Sequence, residues 1–251
     1  MFRTQTGFKV FATAVLTSAA FSAMSHNALA AESAAPTPTA AATATATATA
    51  TPTATPTPAT RLGNIATRAR TDLGDNALIA GFIVTGTQPK TVVVRGIGSS
   101  LPFPGTLSDP TLQLRDGNGQ VIKSNNNWKD SAEKQAIFNK KLAPSNEFES
   151  AIIATVPAKG ATYTAILRGT DNGIGIGVVE VYDVDSETAD SKLANISSRA
   201  LVLTGDNVMI AGTIVVGPLP HDVIIRALGP SLSVVNKLLD PTLELRDQNG
   251  E

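Results

Sequence analysis

Apolar and polar residues alternate in short runs along most of the chain after residue 61. In Thr111-Leu112-Gln113-Leu114-Arg115 the alternation is strict, so the two leucines are predicted to face a core and the polar residues to face outwards. Asp116-Gly117-Asn118-Gly119 follows directly, and Gly and Asn accept the positive φ of a tight hairpin. This segment therefore predicts a strand that ends in a hairpin turn.

Further segments of the same kind predict an all-β fold. They are short, rich in Val, Ile, Leu and Thr, and bounded by Gly, Pro, Asn and Asp. The predicted strands are Asn76–Thr85, Thr91–Gly96, Pro110–Arg115, Val121–Ser124, Ser150–Val156, Thr162–Arg168 and Gly175–Tyr182. Only Asp130–Asn139 indicates a helix. A β-sandwich module with a jelly-roll-like topology is the predicted architecture.

The pattern occurs twice along the chain. LGNIATRARTDLGDNALIAGFIV begins at Leu62, and LANISSRALVLTGDNVMIAGTIV begins 131 residues later at Leu193. A constant period indicates tandem modules, and this period has the size of a domain. We therefore predict a complete module with a short C-terminal linker over residues 62–192 and the first half of a second copy over residues 193–251. Uncovered strand edges predict self-association through this half-module.

Residues 1–30 predict a secretory signal peptide. Arg3 and Lys9 precede the apolar stretch Val10–Met24, and Ala28-Leu29-Ala30 is typical of a cleavage site, with cleavage after Ala30. A retained N-terminal anchor is the alternative interpretation. The mature chain is expected to be secreted or held at the cell surface, with no membrane span.

Residues 31–61 predict a low-complexity linker. They are almost wholly Ala, Thr and Pro, a composition that cannot bury a core and favours an extended stalk. The stalk is interpreted either as a plain spacer or as an O-glycosylated segment.

Charge and cysteine content narrow the class of protein. The chain has no cysteine, so each module has to be stable through its core alone, without disulfides or thiolate metal sites. The net charge is −1, with acidic and basic residues interspersed. This distribution does not predict a basic patch of the kind that binds nucleic acid.

Two segments carry a resemblance to a known family. DPTLQLRDGNGQVIKSNNNW, followed by SAIIATVPAKGATYTAILRG, resembles the bacterial pre-peptidase C-terminal domain and its relatives. TGDNVMIAGTIV with VIIRALGPSL and DPTLELRD resembles repeat modules of large secreted bacterial proteins. The resemblance implies a secreted β-sandwich accessory module beside a catalytic or surface-anchored partner. Lys159–Tyr163 has one residue more than the family's usual Gly-Tyr spacing.

The residues do not predict an enzyme. Of the two histidines, His26 lies in the predicted signal peptide and His221 has Lys90 as its counterpart in the complete module. A Ser-His-Asp triad or a histidine zinc site within that module is therefore excluded. The recurring aspartates Asp75, Asp109 and Asp116 are interpreted as turn residues that bond their own backbone.

Two arginines predict structural ion pairs. Arg95 and Arg226 each follow an apolar run, and an unpaired charge at the end of a buried strand is costly. Shared spacing suggests Asp109 as the partner of Arg95 and Asp240 as the partner of Arg226. The alternative is that the guanidinium binds a ligand carboxylate or phosphate.

Calcium is the one cofactor that the acidic residues suggest. Asp171, Asp183 and Asp185 supply hard oxygen ligands, although none matches a calcium-loop motif. Some relatives of the pre-peptidase domain bind calcium, as the resemblance implies. Turns without an ion are the other interpretation.

Trp128 is the only tryptophan. It is interpreted either as an apolar cap on one end of the sandwich or as an exposed platform for a sugar ring. Together these features predict a non-catalytic extracellular structural or adhesive repeat module, whose partner is a surface polymer or protein. The alternatives are a calcium-assisted carbohydrate- or protein-binding module and an accessory fragment of a secreted hydrolase.

Overall fold

The computed structural model describes residues 8–15 and 59–250. It confirms the all-β class, because strands dominate these residues and helices are few and short. The strands are β1 Phe8–Val15, β2 Arg61–Thr71, β3 Leu78–Thr85, β4 Lys90–Ile97, β5 Pro110–Asp116, β6 Val121–Asn125, β7 Ser150–Val156, β8 Ala161–Gly169, β9 Gly175–Asp183, β10 Lys192–Val202, β11 Ile210–Val216 and β12 Ile224–Leu228. The α-helix α1 spans Lys134–Asn139, within the segment predicted as helical.

The strands form one hydrogen-bonded sheet that nearly closes into a barrel-like shape. Its main path runs β6-β5-β8-β3-β10-β2-β9-β4-β7, and the pairs are antiparallel except for β10 with β2. The two ends of the path meet where Lys123 on β6 donates to the main-chain oxygen of Ile153 on β7, at 3.0 Å. The predicted signal cleavage after Ala30 and the linker up to residue 58 lie outside the described residues.

Alternation along the strands builds the core. Leu112 and Leu114 on β5 are fully buried and Gln113 is half-buried, as the period of two predicts. β3 shows the same alternation over its whole length, and its Phe82 stacks on Tyr163 of β8 with 5.4 Å between the ring centroids. The core is therefore one continuous apolar layer enclosed by the curved sheet.

The hairpin predicted after β5 is present. Asp116 Oδ1 accepts hydrogen bonds from the main-chain N–H groups of Asn118 and Gln120, both at 2.9 Å. Gly119 has φ +80°, which a side chain with a Cβ rarely adopts. The turn thus fixes the pairing of β5 with β6.

The second copy of the sequence continues the sheet of the first. β10 pairs with β3, and β11 pairs with β2, both antiparallel. The boundary predicted at Leu193 falls inside β10, and residues 59–250 belong to one compact unit together with β1. The junction between the two copies is therefore a run of main-chain hydrogen bonds.

β1 lies between β10 and β12, within the segment predicted as a signal peptide. Phe8↔Val202 and Val15↔Asn195 pair it with β10, and Val15↔Ile224 pairs it with β12. In the first copy, β9 lies between β2 and β4 in the same register. The pairs equivalent to those of β1 are Gly175↔Thr71, Tyr182↔Asn64 and Tyr182↔Val93. β1 thus occupies, in the second copy, the place that β9 occupies in the first.

Candidate functional site

Arg95 on β4 is the centre of a polar network at the β4–β9 junction. Its Nε donates to Glu180 Oε2 at 2.7 Å, and its Nη2 donates to the Tyr182 hydroxyl at 3.1 Å. Nη1 reaches the main-chain oxygen of Leu142 at 3.3 Å. The guanidinium also lies over the Tyr182 ring, 5.1 Å from its centroid. The network therefore ties two neighbouring strands to the loop that follows α1.

The partner predicted for Arg95 was wrong. Asp109 does not pair with it, and its main-chain oxygen instead accepts a hydrogen bond from Thr170 N at 2.9 Å. The antiparallel register places Glu180 directly opposite Arg95, and no spacing within the chain reveals that register. Arg226 is exposed on β12 and forms no ion pair with Asp240.

Both tyrosines of the chain are expected to ionise late. Burial raises the pKa of Tyr182, the charge of Glu180 raises it further, and Arg95 partly opposes both. Burial also raises the pKa of Tyr163. Since the chain has only two tyrosines, its tyrosinate absorbance should develop above pH of about 10. A raised pKa means that the associated stability is present below the unfolded pKa and is lost as pH rises through the folded one.

The Arg95→Met variant is expected to separate the titration of Tyr182 from that of Tyr163. Loss of the guanidinium leaves Glu180 unbalanced, so the pKa of Tyr182 should rise further while that of Tyr163 stays unchanged. A Tyr182→Phe variant isolates the Tyr163 transition in the same absorbance titration. A Tyr182 midpoint that falls in Arg95→Met would show that the arginine does not act on this hydroxyl.

A second network surrounds Lys90, whose side chain is 0% exposed. Its Nζ lies 2.7 Å from Asp183 Oδ1 and 3.1 Å from Asp185 Oδ2. Arg61 Nε approaches Asp183 Oδ2 at 3.3 Å, an ion-pair contact without hydrogen-bond geometry. Two cations and two anions thus balance each other at the start of β4 and the end of β9.

Hydrogen bonding decides the ionisation of Asp185. Burial alone would raise its pKa, but the Thr91 main-chain N–H and the Lys90 ammonium donate to the carboxylate and hold its pKa below the ordinary value. Asp185 therefore stays ionised at neutral pH as a counter-ion of Lys90.

The three aspartates predicted as calcium ligands do not come together as a metal site. Asp183 and Asp185 are bound by Lys90, whose ammonium lies where a cation would have to be. Asp171 is exposed in a separate turn, with φ 50°. Across residues 8–15 and 59–250, no group of three or more acidic, histidine or cysteine side chains is placed to hold a metal ion.

Glu149, which the sequence interpretation did not single out, is fully buried before β7. Its Oε1 accepts hydrogen bonds from Gly98 N and Ser100 N, both at 2.9 Å, and from Ser100 Oγ at 2.7 Å. A Cβ on Gly98 would lie 2.1 Å from the Leu107 main-chain oxygen, so this turn has no room for a side chain. Glu149 therefore holds the turn after β4 in place.

Trp128 is half-buried, which is intermediate between the buried cap and the exposed sugar platform that the sequence predicted. Its indole N–H donates to the main-chain oxygen of Asn146 at 3.1 Å, and Lys129 Nζ lies 5.9 Å from the ring centroid. Nearby in sequence, Phe138 is 61% exposed on α1 and borders an open cavity of about 540 Å³ that Asn139, Lys141 and Ala143 also line. The exposed aromatic side chain at this cavity is thus Phe138, and not Trp128.

Neither the Arg95 network nor the Lys90 network contains a histidine or serine hydrogen-bonded to its carboxylates. Their chemistry is mutual neutralisation of charges. No family model, curated protein or solved structure matches the chain. Within the part of the chain that the structure describes, no helix has the length and apolarity needed to cross a membrane.

Of the two residues that the sequence interpretation missed, Lys90 carries a signal in the sequence and Glu149 does not. Lys90 lies just before the apolar run Val92–Val94, and a charge at the entrance of a buried strand requires a partner. The Asp183-Val184-Asp185 motif supplied that partner but was interpreted as ligands for a metal. Glu149 lies in a polar loop of ordinary composition, so nothing in its neighbourhood distinguishes it.

Proposed function

We propose that this protein is a non-catalytic extracellular structural repeat protein, in which each jelly-roll-like module extends the sheet of its neighbour and acts as a spacer. The observation that supports it best is the junction between copies. β10 pairs with β3 from Lys192 to Arg199, and β11 pairs with β2 from Ile210 to Val216, so main-chain hydrogen bonds join the two copies. Such a junction transmits force and holds the two copies in a fixed orientation, which a flexible linker would not do.

The two charge networks support the same role. Arg95 joins β4 to β9 and to the loop after α1, and Lys90 joins the start of β4 to the end of β9. These contacts stiffen a fold that has no cysteine. In the proposed setting, outside the cell, they take the place of disulfides.

A surface contact is a second element of this proposal. Phe138 is exposed beside a cavity that Lys141 also lines, and aromatic residues are enriched at binding surfaces. The partner would be a surface polymer or protein. Phe138→Ser should then abolish binding of the full chain to that partner, with Phe148→Ser, an exposed phenylalanine elsewhere on the surface, as the matched control.

Pulling on single molecules tests the spacer role. The full chain held by its two ends in optical tweezers is expected to unfold in one step, because strands of both copies share one sheet. That step should release roughly 600 Å of extended chain for residues 59–250. Release of β10–β12 in a separate, earlier step would show that the junction carries no load and would contradict the proposal.

A further inference from the structure

The two copies pair reciprocally. We call β2, its turn and β3 (Arg61–Thr85) the first arch, and β10, its turn and β11 (Lys192–Val216) the second arch. Ile79 pairs with Arg199, and Ile210 pairs with Arg68. Ile210 is the counterpart of Ile79 in the second copy, and Arg68 is the counterpart of Arg199 in the first. The two pairs are therefore the same pair with the copies exchanged. The same holds at the far ends of the strands, where Thr85 pairs with Lys192 and Val216 with Arg61.

Even the irregularities match. The pairing of β10 with β3 skips Ala194, and the pairing of β11 with β2 skips Gly63, its counterpart in the first arch. β-bulges are specific features of a strand pair. Their recurrence at equivalent positions shows that the two arches use one pairing pattern in both directions.

Equivalent residues face each other where the arches meet. β2 and β10 run parallel, with Leu62 opposite Leu193 and Arg70 opposite Leu201. Thr67 Oγ1 and Ser198 Oγ share a hydrogen bond of 2.5 Å, and these two residues are 131 positions apart. Contact between equivalent residues is the property of a local twofold axis. Thr67 and Ser198 lie at that axis.

The turns that follow the arches obey the same symmetry. A Cβ on Gly86 would lie 2.6 Å from Ser191 Cα, and a Cβ on Gly217 would lie 2.5 Å from Thr60 Cα. Both glycines have positive φ, 91° and 124°. Each turn therefore touches the residue just before the opposite arch, and glycine is required in both places.

We propose that the arch is a homotypic docking element that also joins separate molecules, with the arch of one chain paired to an arch of a second copy. A twofold interface is self-complementary, so the surface that accepts the second arch is the surface that this arch presents in return. Thr67 and Ser198 at the axis are small and polar, and the strands on both sides are joined by main-chain pairing that any arch of this sequence can supply. Arch exchange between chains does not depend on a spacer or adhesive role.

Cysteine variants of the full chain test the axis first. The natural chain has no cysteine, so introduced thiols are its only ones. In Thr67→Cys/Ser198→Cys the two sulfurs replace oxygens that are in hydrogen-bond contact, and a disulfide should close within one chain under mild oxidation. Thr67→Cys/Thr155→Cys, with the second thiol at an exposed position of β7, should remain reduced. Failure of the first variant to close would contradict the axis itself.

A mixing experiment then tests exchange between chains. Full-length Thr67→Cys and Ser198→Cys are unfolded together, refolded at high protein concentration and oxidised. Residues 86–191 connect the two arches of one chain and favour pairing within that chain, so crowded refolding is needed for a second copy to compete. A disulfide dimer linked between residues 67 and 198 of two chains is expected, identified by mass spectrometry of the linked peptides.

The control mixture is Thr67→Cys with Thr155→Cys, treated in the same way. It should yield many-fold less linked dimer, and dilution before refolding should abolish the dimer in the first mixture. Equal amounts of dimer in both mixtures, or none in either while Thr67→Cys/Ser198→Cys closes internally, would overturn docking between chains and leave the arch pair as an internal junction only.

Discussion

Replacing Lys90 by methionine is expected to lower the free energy of unfolding by about 3–5 kcal/mol, the cost of breaking a buried ion pair from one side. The ammonium is 0% exposed and contacts two carboxylates, of which Asp183 is equally buried. Methionine fills a similar volume but leaves Asp183 with Arg61 as its remaining cation, in an ion-pair contact that lacks hydrogen-bond geometry. Urea denaturation of the full chain at neutral pH measures the loss as a lower midpoint at constant slope.

Two further variants make the Lys90 prediction specific. Lys129→Met removes an ammonium from an ion pair with Glu147 in which both side chains are more than half exposed, and it should change stability by less than about 1 kcal/mol. Lys90→Met/Asp183→Asn should be less destabilised than Lys90→Met alone, since a neutral amide needs no counter-ion. If Lys90→Met were as mild as Lys129→Met, the buried network would not contribute to folding.

Local pattern predicted the strands well, because a half-buried strand shows its period of two directly in the sequence. All the predicted strands overlap strands of the structure, from β3 to β9. The pattern missed β2, in which Asn64 and Thr67 are buried although they are polar. Their polar groups are satisfied by Val181 O and Ser198 Oγ. Only the other strands make those positions suitable for burial, so the residues of β2 by themselves do not indicate a core-facing side.

The same limit applies to the sites. The sequence identified Arg95 as a charge that requires a partner and Asp183 as a possible calcium ligand, but it could not assign the residues that contact them. Glu180 and Lys90 meet them through the pairing of β4 with β9, between residues more than 80 positions apart. The period of 131 residues likewise predicted two copies, with no sign that their arches pair reciprocally. Pairing between distant strands is a property of the folded sheet, and one sequence does not encode it as a local signal.

Removal of the Glu149 carboxylate is expected to be the second large effect. In Glu149→Ala the N–H groups of Gly98 and Ser100 lose their acceptor inside a turn that has no space to rearrange, as the close approach of Gly98 to Leu107 indicates. Because a hydrogen bond to a charged acceptor contributes about 1.5–3 kcal/mol, the loss of unfolding free energy should be about 3–5 kcal/mol. Denaturant unfolding gives the total, and hydrogen exchange of the Gly98 and Ser100 amides locates it.

Glu149→Gln separates the hydrogen bonds from the charge. The amide oxygen of glutamine can still accept hydrogen bonds from the N–H groups of Gly98 and Ser100. The amide NH2 group replaces Oε2, which is buried without a hydrogen bond. A cost of about 1 kcal/mol is therefore expected, well below that of the alanine variant. If glutamine and alanine were equally damaging, the negative charge itself would be what holds the turn, and the free carboxylate oxygen would have a partner that hydrogen bonding within the chain does not account for.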